Sequence, residues 1–533
     1  MKHRLRSWRK RAGTFEERPR EAHRNPRLRG VGVPAATALG LLLAVPVSAA
    51  GEEPAGIFTD VTTASGIDFV HTFGDEEMSN LVESSGYGVC LFDADGDGRL
   101  DVYFANGSRH PEVSEHPEGT EAPGELPTNR LYRNVTEPGG ALRFEDVTVG
   151  SGTGDTGFSM GCVAGDLDGD GDRDLVVTNY GPNRAYRNDG PGPDGVPRFT
   201  DVTEESGLGD PAWGMGAALL DFDGDGRLDL YVGNYVRFDP DYRAFYVTDR
   251  FPGPLAYPGS PDRLYRNLGG WRFQEISREA GVANPEGRAM GVGVSDLGGD
   301  GRPDVFVSND AMANSLFRNR GDGSFEDVAL FSGLAYSENG EATAAMGVDF
   351  GDLDGDGALE IFVPDMSFST LYAPEEGDTF HDRSRQWGLA PVAAQYVGWS
   401  GHLIDYDLDG WLDLFMTTGD LHDIEPTEDI LLHNEGSGGS PGSSDAPRLR
   451  DAAEEGGAHF HEGTMGRGAA VGDLDDDGDP DIVLNVLAGP AVVLRNDQIT
   501  GNHWLGVRLS GPEGNPDGIG ARIEVVTSGG GAP

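Results

Sequence analysis

The chain has 533 residues, with 82 glycines, 33 prolines and 37% hydrophobic content; 90 acidic side chains against 40 basic ones leave a net charge of −50. That acidity excludes nucleic acid as a partner, because phosphate binding needs the opposite sign. The apolar content is too high for wholesale disorder, and the abundant glycine suits many short strands joined by tight turns.

The first thirty residues carry 11 Lys/Arg and 3 Glu, and "VGVPAATALGLLLAVPVSAA" follows. A basic segment, a short apolar core and the small-residue pattern Val47-Ser48-Ala49 predict a signal peptide over 1–50, hence a secreted, periplasmic or cell-surface protein. Pro34 and Pro46 bracket a core shorter than a bilayer span, and no later apolar run approaches that length. No transmembrane span is expected after cleavage.

From Asp93 the chain reads "DADGDGRLD", and six relatives begin at Asp166, Asp221, Asp296, Asp352, Asp405 and Asp473. The mean spacing of about 63 residues falls in the range of solenoids and propellers. Each copy follows a glycine-rich apolar stretch such as "SMGCVAG" or "WGMGAALL". It precedes an aromatic-basic segment: "RLYRN" at 130 and 263, "RAYRN" at 184, "SLFRN" at 315, then weaker "TLYA", "ILLHN" and "VVLRN". A phenylalanine segment ends the unit: "RFEDVT", "RFTDVT", "RFQEIS", "SFEDVA", "TFHDRS" and "HFHEGT". Alternating aromatic and β-branched residues between glycine-rich turns read as four antiparallel strands, the makeup of a propeller blade. The copy "IFTDVT" from Ile57 precedes the first unit, and the seventh unit lacks one. The fold expected is therefore all-β, a seven-bladed β-propeller over 57–500 whose N-terminal strand completes the last blade and removes the free sheet edge.

In D-x-D-x-D-G-x-x-D, carboxylates at positions 1, 3, 5 and 9 converge on one cation and glycine at position 6 permits the turn. The candidate ligands are Asp93, Asp95, Asp97 and Asp101; Asp166, Asp168, Asp170 and Asp174; Asp221, Asp223, Asp225 and Asp229; Asp296, Asp300 and Asp304; Asp352, Asp354, Asp356 and Glu360; Asp405, Asp407, Asp409 and Asp413; and Asp473, Asp475, Asp477 and Asp481. Hard oxygen donors without His or Cys favour Ca2+, in up to seven sites. The fourth site is expected to be the weakest, because Gly298 stands at position 3. An EF-hand is excluded: position 12 is Phe104, Val177 or Val232, and strand rather than helix follows. Cys90 and Cys162 sit at similar places in successive repeats and are expected as two small buried side chains rather than a bridge.

Together these pieces resemble the FG-GAP, or VCBS-type, repeats of the integrin alpha-chain propeller, from about Ile57 to Asn496. The resemblance implies calcium in the acidic loops on one face of a seven-bladed propeller. A second segment, "NHWLGVRLSGPEGNPDGIGARIEVV" from Asn502, resembles the opening of the ASPIC/UnbV domain of the cartilage acidic protein family. The points of match are Asn502, His503, Trp504, Leu505, Leu509, Gly511, Asn515 and the run Ile519 to Arg522. Residues 501–533 are thus expected to be the start of such a domain, truncated.

Antiparallel order puts the acidic loops on one face and the second-to-third-strand connections on the other. Long insertions fall there in blades 1 and 3. The latter carries Tyr235, Phe238, Tyr242, Phe245, Tyr246, Phe251 and Tyr257 among Arg237, Arg243 and Arg250. Such a mixture reads equally as a binding surface or as an insertion folded over its own apolar cluster. "NEGSGGSPGSSDAPRLRD" from Asn434 reads as a flexible linker. No HExxH, GxSxG, CxxC or phosphate loop occurs, and His459 and His461, on one strand about Phe460, read as structural. The function expected is a calcium-binding, non-catalytic protein- or glycan-binding module. An extracellular polysaccharide lyase or hydrolase and an accessory factor of a biosynthetic pathway are the alternatives.

Overall fold

In the computed structural model, the acidic hairpins recur at the same place in seven antiparallel sheets. The residues described are 56–73, 78–110, 113–114, 126–242, 251–375, 378–422, 424–436, 447–498, 500–512 and 514–523. The predicted signal peptide, residues 243–250 of the aromatic insertion, 115–125 of the first insertion and most of the glycine-serine linker lie outside them.

Each sheet is one blade. The inner strands are Val89–Phe92, Phe158–Gly165, Gly214–Leu220, Ala289–Ser295, Asp349–Gly351, Gly398–Ile404 and Gly466–Gly472, from blades 1 to 7. The order inside each blade is sequential and antiparallel, and blade 4 adds Thr343–Ala344 beside its second strand. Blade 7 has the circular topology expected: Phe58–Asp60 pairs with Val492–Asn496 in the register Phe58↔Asn496, Thr59↔Arg495 and Asp60↔Leu494. The ring is thus latched by its N-terminal strand and exposes no free edge there.

Glycines beside the axis let the innermost strands crowd together. A β-carbon on Gly161 would lie 2.9 Å from the Met215 carbonyl oxygen, one on Gly216 2.8 Å from the Val292 nitrogen, and one on Gly468 2.4 Å from the Tyr87 carbonyl oxygen. Register shifts interrupt the inner strands at the same level in blades 2, 3, 4, 6 and 7. Such bulges re-aim the side chains next to them. Between blades, second- and third-strand side chains such as Val102, Phe104, Tyr132, Leu264, Val305 and Leu432 are buried.

The fourth strand is followed in every blade by a four-residue helix, an element the strand patterning did not predict. An acidic residue at the strand end starts it: Asp146 Oδ1 accepts from Thr148 N at 2.9 Å, Asp201 Oδ1 from Thr203 N at 2.9 Å and Asp382 Oδ1 from Ser384 N at 2.9 Å. These turns correct one assignment. The fourth strand of blade 6 is Leu449–Asp451, and "HFHEGT" is not a strand, since Ala458–His461 forms a 3-10 turn. Leu449 supplies the apolar side chain that phenylalanine supplies elsewhere. Phe460 instead packs between blades, 5.9 Å from Phe58 and 6.2 Å from Phe415, while His459 Nε2 meets Asp429 Oδ2 at 2.9 Å.

The cysteine expectation is also corrected. Cys90 and Cys162 form a disulfide across a separation of 72 residues. They lie on neighbouring inner strands one register step apart, Cys90 three residues before Asp93 and Cys162 four before Asp166, so the alternation of the strands turns the two side chains toward each other, with Cα atoms 6.2 Å apart.

The described aromatics of the blade 3 insertion turn inward. Tyr235 and Tyr257 are buried, Trp213 lies 5.0 Å from Tyr235, and Phe238 lies 5.1 Å from Tyr257. Tyr235 Oη donates to Asp310 Oδ2 at 2.5 Å. Phe238 also lies 6.1 Å from Tyr180 and Phe251 4.9 Å from His422, so the described aromatics pack against other blades as well as against one another.

Candidate metal centres

Every acidic loop is the turn between a blade's inner and second strands. The position 1 carboxylate draws the loop around itself by accepting backbone N–H groups. Asp221 takes Asp225 N at 3.0 Å and Gly226 N at 2.9 Å; Asp405 takes Asp409 N at 3.1 Å and Gly410 N at 3.0 Å. The pattern repeats at Asp296, Asp352 and Asp473. The position 6 glycine has φ between +80° and +99° in all seven copies. A side chain there would be strained, which is why the residue is glycine throughout.

The position 9 acid points into the blade. Asp174 accepts Leu167 N at 2.8 Å and Asn188 N at 2.8 Å, and Asp481 accepts Leu474 N at 2.9 Å and Asn496 N at 2.8 Å. Burial pushes these carboxyls up: Asp174 to about 9, Asp229 and Asp481 to about 8, Asp101 and Asp413 to about 7. Backbone donors and neighbouring carboxylates act as smaller influences of opposite sign. Glu360 is the variant, raised to about 9. One of its oxygens takes Leu353 N at 2.7 Å, but Oε1 is buried without a hydrogen-bond partner. In the other blades the asparagine of the third strand supplies a backbone N–H there; blade 5 has Pro374, which has none.

Acidic oxygens are brought together in groups of three. Ligand atoms lie within 4.8 Å of one another in Asp93–Asp95–Asp101, Asp166–Asp168–Asp174, Asp221–Asp223–Asp225 and Asp352–Asp354–Asp356, and His433 joins Asp407 and Asp409 in the sixth loop. In the seventh loop Asp473, Asp475, Asp477 and Asp481 hold the same hairpin positions. Asp93 Oδ1 and Asp475 Oδ1, like Glu360 Oε1, are buried and unpartnered. Buried carboxylate oxygens without donors are costly. Convergent oxygens in that condition fit a hard divalent cation such as calcium. Asp97, Asp225 and Asp300, at position 5, also pair with the arginines at position 7, Arg99, Arg227 and Arg302.

The fourth loop does not fit in the same way. A β-carbon on Gly298 would lie 2.2 Å from Arg318 Nη1, and that nitrogen donates to Asp304 Oδ2 at 3.1 Å. A guanidinium therefore stands where the missing position 3 carboxylate would be.

Two residue types escaped the sequence reading although their signal, the "RN" of the third strand, was visible. The arginine lies alongside the loop: Arg133 Nε meets Asp95 Oδ2 at 2.5 Å and Arg266 Nε meets Asp223 Oδ2 at 3.0 Å, while in blade 6 His433 Nδ1 meets Asp413 Oδ1 at 3.1 Å. In every blade but the fifth, which has Pro374, the asparagine ties its loop to the loop of the preceding blade. Asn188 Nδ2 donates to the Ala94 carbonyl at 2.8 Å, Asn267 to Leu167 at 2.8 Å, Asn319 to Phe222 at 2.8 Å, Asn434 to Leu353 at 3.0 Å and Asn496 to Tyr406 at 2.8 Å.

The C-terminal segment runs across this loop face. Arg173 meets Asp517 at 2.6 Å, Arg522 Nη2 donates to the Gly357 carbonyl at 2.8 Å, and a β-carbon on Gly478 would lie 2.0 Å from the Trp504 indole nitrogen.

Seven blades with one acidic hairpin each define a seven-bladed β-propeller. The FG-GAP-like repeat family matches residues 93–177, 166–232 and 296–363. Among individual proteins the chain is similar to cartilage acidic protein 1. It is 24% identical over 491 residues to that of Homo sapiens, covering 88% of this chain and 65% of the relative, and 24% identical over 360 residues to that of Mus musculus, covering 63% and 49%. The Xenopus tropicalis protein is 24% identical over 463 residues, covering 79% and 61%. The chain thus spans between half and two-thirds of the length of these curated relatives. Of solved structures, an Agrocybe aegerita lectin, described by its recognition of non-reducing terminal N-acetylglucosamine, aligns at TM-score 0.37 and 15% identity over 82% of this chain and 94% of that one. BBS1N in complex with ARL6DN aligns at TM-score 0.41 and 9% identity over 84% and 98%.

Proposed function

We propose that this protein is a secreted or surface-exposed, calcium-binding propeller that acts as a non-catalytic module for a protein or glycan ligand. The observation that carries the calcium reading is the set of buried, unpartnered oxygens on Asp93, Glu360 and Asp475, each inside a convergent acidic loop. Calcium would neutralise carboxylates that the fold otherwise buries against one another. The Cys90–Cys162 disulfide supports an oxidising compartment. So does the likeness to cartilage acidic protein 1.

For the ligand, the supporting feature is the face opposite the calcium loops. Leu126, Leu255, Met366, Phe368 and Ile424 are exposed, and all five lie in second-to-third-strand connections. Exposed apolar side chains gathered on one face mark interaction surfaces. The test is binding of the purified full chain to immobilised glycans and extracellular-matrix proteins in calcium, compared with a Leu255→Asp/Phe368→Asp variant. Loss of capture at unchanged melting temperature supports the assignment; undiminished capture refutes the face, and glycan turnover by the wild type refutes the non-catalytic reading.

A further inference from the structure

In or just before each inner strand one side chain stands at the same level, six residues before the first acid of the loop: Tyr87, Met160, Met215, Met290, Met346, Trp399 and Arg467; glycine follows in every blade but the sixth, which has Ser400. All seven are buried. Six of them (all but Tyr87) line a cavity of about 330 Å³ on the axis. Ligand pockets of roughly 300–1,000 Å³ are mostly apolar with a few placed polar groups. Four thioethers and an indole supply the apolar part, and methionine adapts to irregular shapes.

Arg467 is the anomaly. It is the cation of this seven-membered ring in a chain of net charge −50, and its relative exposure is 1%. Its guanidinium lies 3.9 Å over the Trp399 ring. Nε donates to the Ser84 carbonyl at 3.0 Å, Nη1 to the Gly466 carbonyl at 3.1 Å and Nη2 to the Asp420 carbonyl at 2.8 Å. Among the described residues those three bonds use three of its five N–H donors, and Asp420 acts on it as a neighbouring charge. Among the described residues no carboxylate lies within ion-pair distance of it, although the surface is crowded with carboxylates. Buried charges are costly unless paired. Its field is felt nearby: after burial itself, the Arg467 charge is the second cause holding His71 down at about 3.

We propose that the axial cavity binds a small organic carboxylate with an apolar body, its anionic end on Arg467 and its body against Trp399 and the methionine ring. Nothing in this depends on the calcium loops, and the two readings fail separately.

The test uses the full, calcium-loaded chain with benzoate as probe and benzyl alcohol as its neutral counterpart, followed by calorimetry and by the 13C-methyl signals of labelled methionines. Benzoate is expected to bind at least tenfold more tightly than the alcohol and to shift the signals of Met160, Met215, Met290 and Met346. Arg467→Met, which installs the majority residue of the ring, is expected to remove the benzoate preference, and Arg467→Lys to restore part of it. Should Arg467→Met fail to fold, Met215→Trp, which fills the cavity and keeps the charge, is expected to abolish benzoate binding. No binding to the wild type, equal affinity for both probes, or binding indifferent to these substitutions overturns the proposal.

Discussion

Asn134 and Leu474 are separated by 340 residues in sequence, yet Asn134 Nδ2 donates to the Leu474 carbonyl at 2.8 Å. The bond joins the third strand of blade 1 to the acidic loop of blade 7, so it closes the ring on the loop face, as the pairing of Phe58–Asp60 with Val492–Asn496 closes it within the sheet. The same amide donates to the Leu100 carbonyl of its own loop at 3.2 Å. Asn134→Ala leaves the buried Leu474 carbonyl and the half-buried Leu100 carbonyl short of a donor and is expected to cost about 2 kcal/mol. Urea denaturation would read this as a lower midpoint at unchanged slope. An indifferent midpoint would mean that blades 7 and 1 are held without it.

Calcium removal is expected to lower the melting temperature, because the convergent carboxylates lose the cation that offsets their repulsion. Elemental analysis of the saturated protein should find six ions and not seven, since Arg318 stands in the fourth loop beside Asp304. Gly298→Asp alone places a side chain against Arg318 and should not add a site. Gly298→Asp with Arg318→Ala should raise the count to seven. A wild-type count of seven would show that Arg318 swings away.

The pH dependence follows from the inner carboxyls. Asp174, Asp229, Glu360 and Asp481 are raised from the ordinary carboxylate range to about 8 or 9 by burial. Between pH 4 and 9 the calcium-free folded state therefore holds more protons than the unfolded chain, and its stability falls as pH rises. Calcium binds the ionised form, so its stabilising effect should grow through the same window. Melting temperatures in EGTA and in calcium across pH 5–9 would diverge. Parallel curves would contradict both halves.

Reduction of Cys90–Cys162 opens a covalent loop with a sequence separation of 72. In the chain-entropy description a loop of that length is worth about 4 kcal/mol. Cys90→Ser/Cys162→Ser is expected to lower the melting temperature in oxidising buffer and to abolish any further response to dithiothreitol. Equal melting of wild type and variant would place the constraint elsewhere.

Much of this architecture was legible because the repeat is local. The acid-glycine spacing within "DFDGDGRLD", the positive φ demanded at Gly226 and the alternation of "LDLYV" are decided by neighbours a few residues away. The outer strand of blade 6 was misplaced because Leu449 lacks the phenylalanine cue that Phe460, in a turn, displays. "RAYRN" was recognised as a strand, but the two jobs of its last residues were not legible, since Asn188 acts on Ala94 in another blade.

The sequence by itself determined the blade, the count of seven, the circular closure and the acidic hairpins, all set by short-range sterics and by one displaced copy of a strand. The tertiary structure alone decided what lies between blades: the Cys90–Cys162 bridge, the asparagine ties, Arg318 in the place of a carboxylate, and the buried Arg467 among methionines. Those depend on how closely neighbouring inner strands approach around the axis. That distance is set by packing among residues far apart in the chain, and no local pattern encodes it.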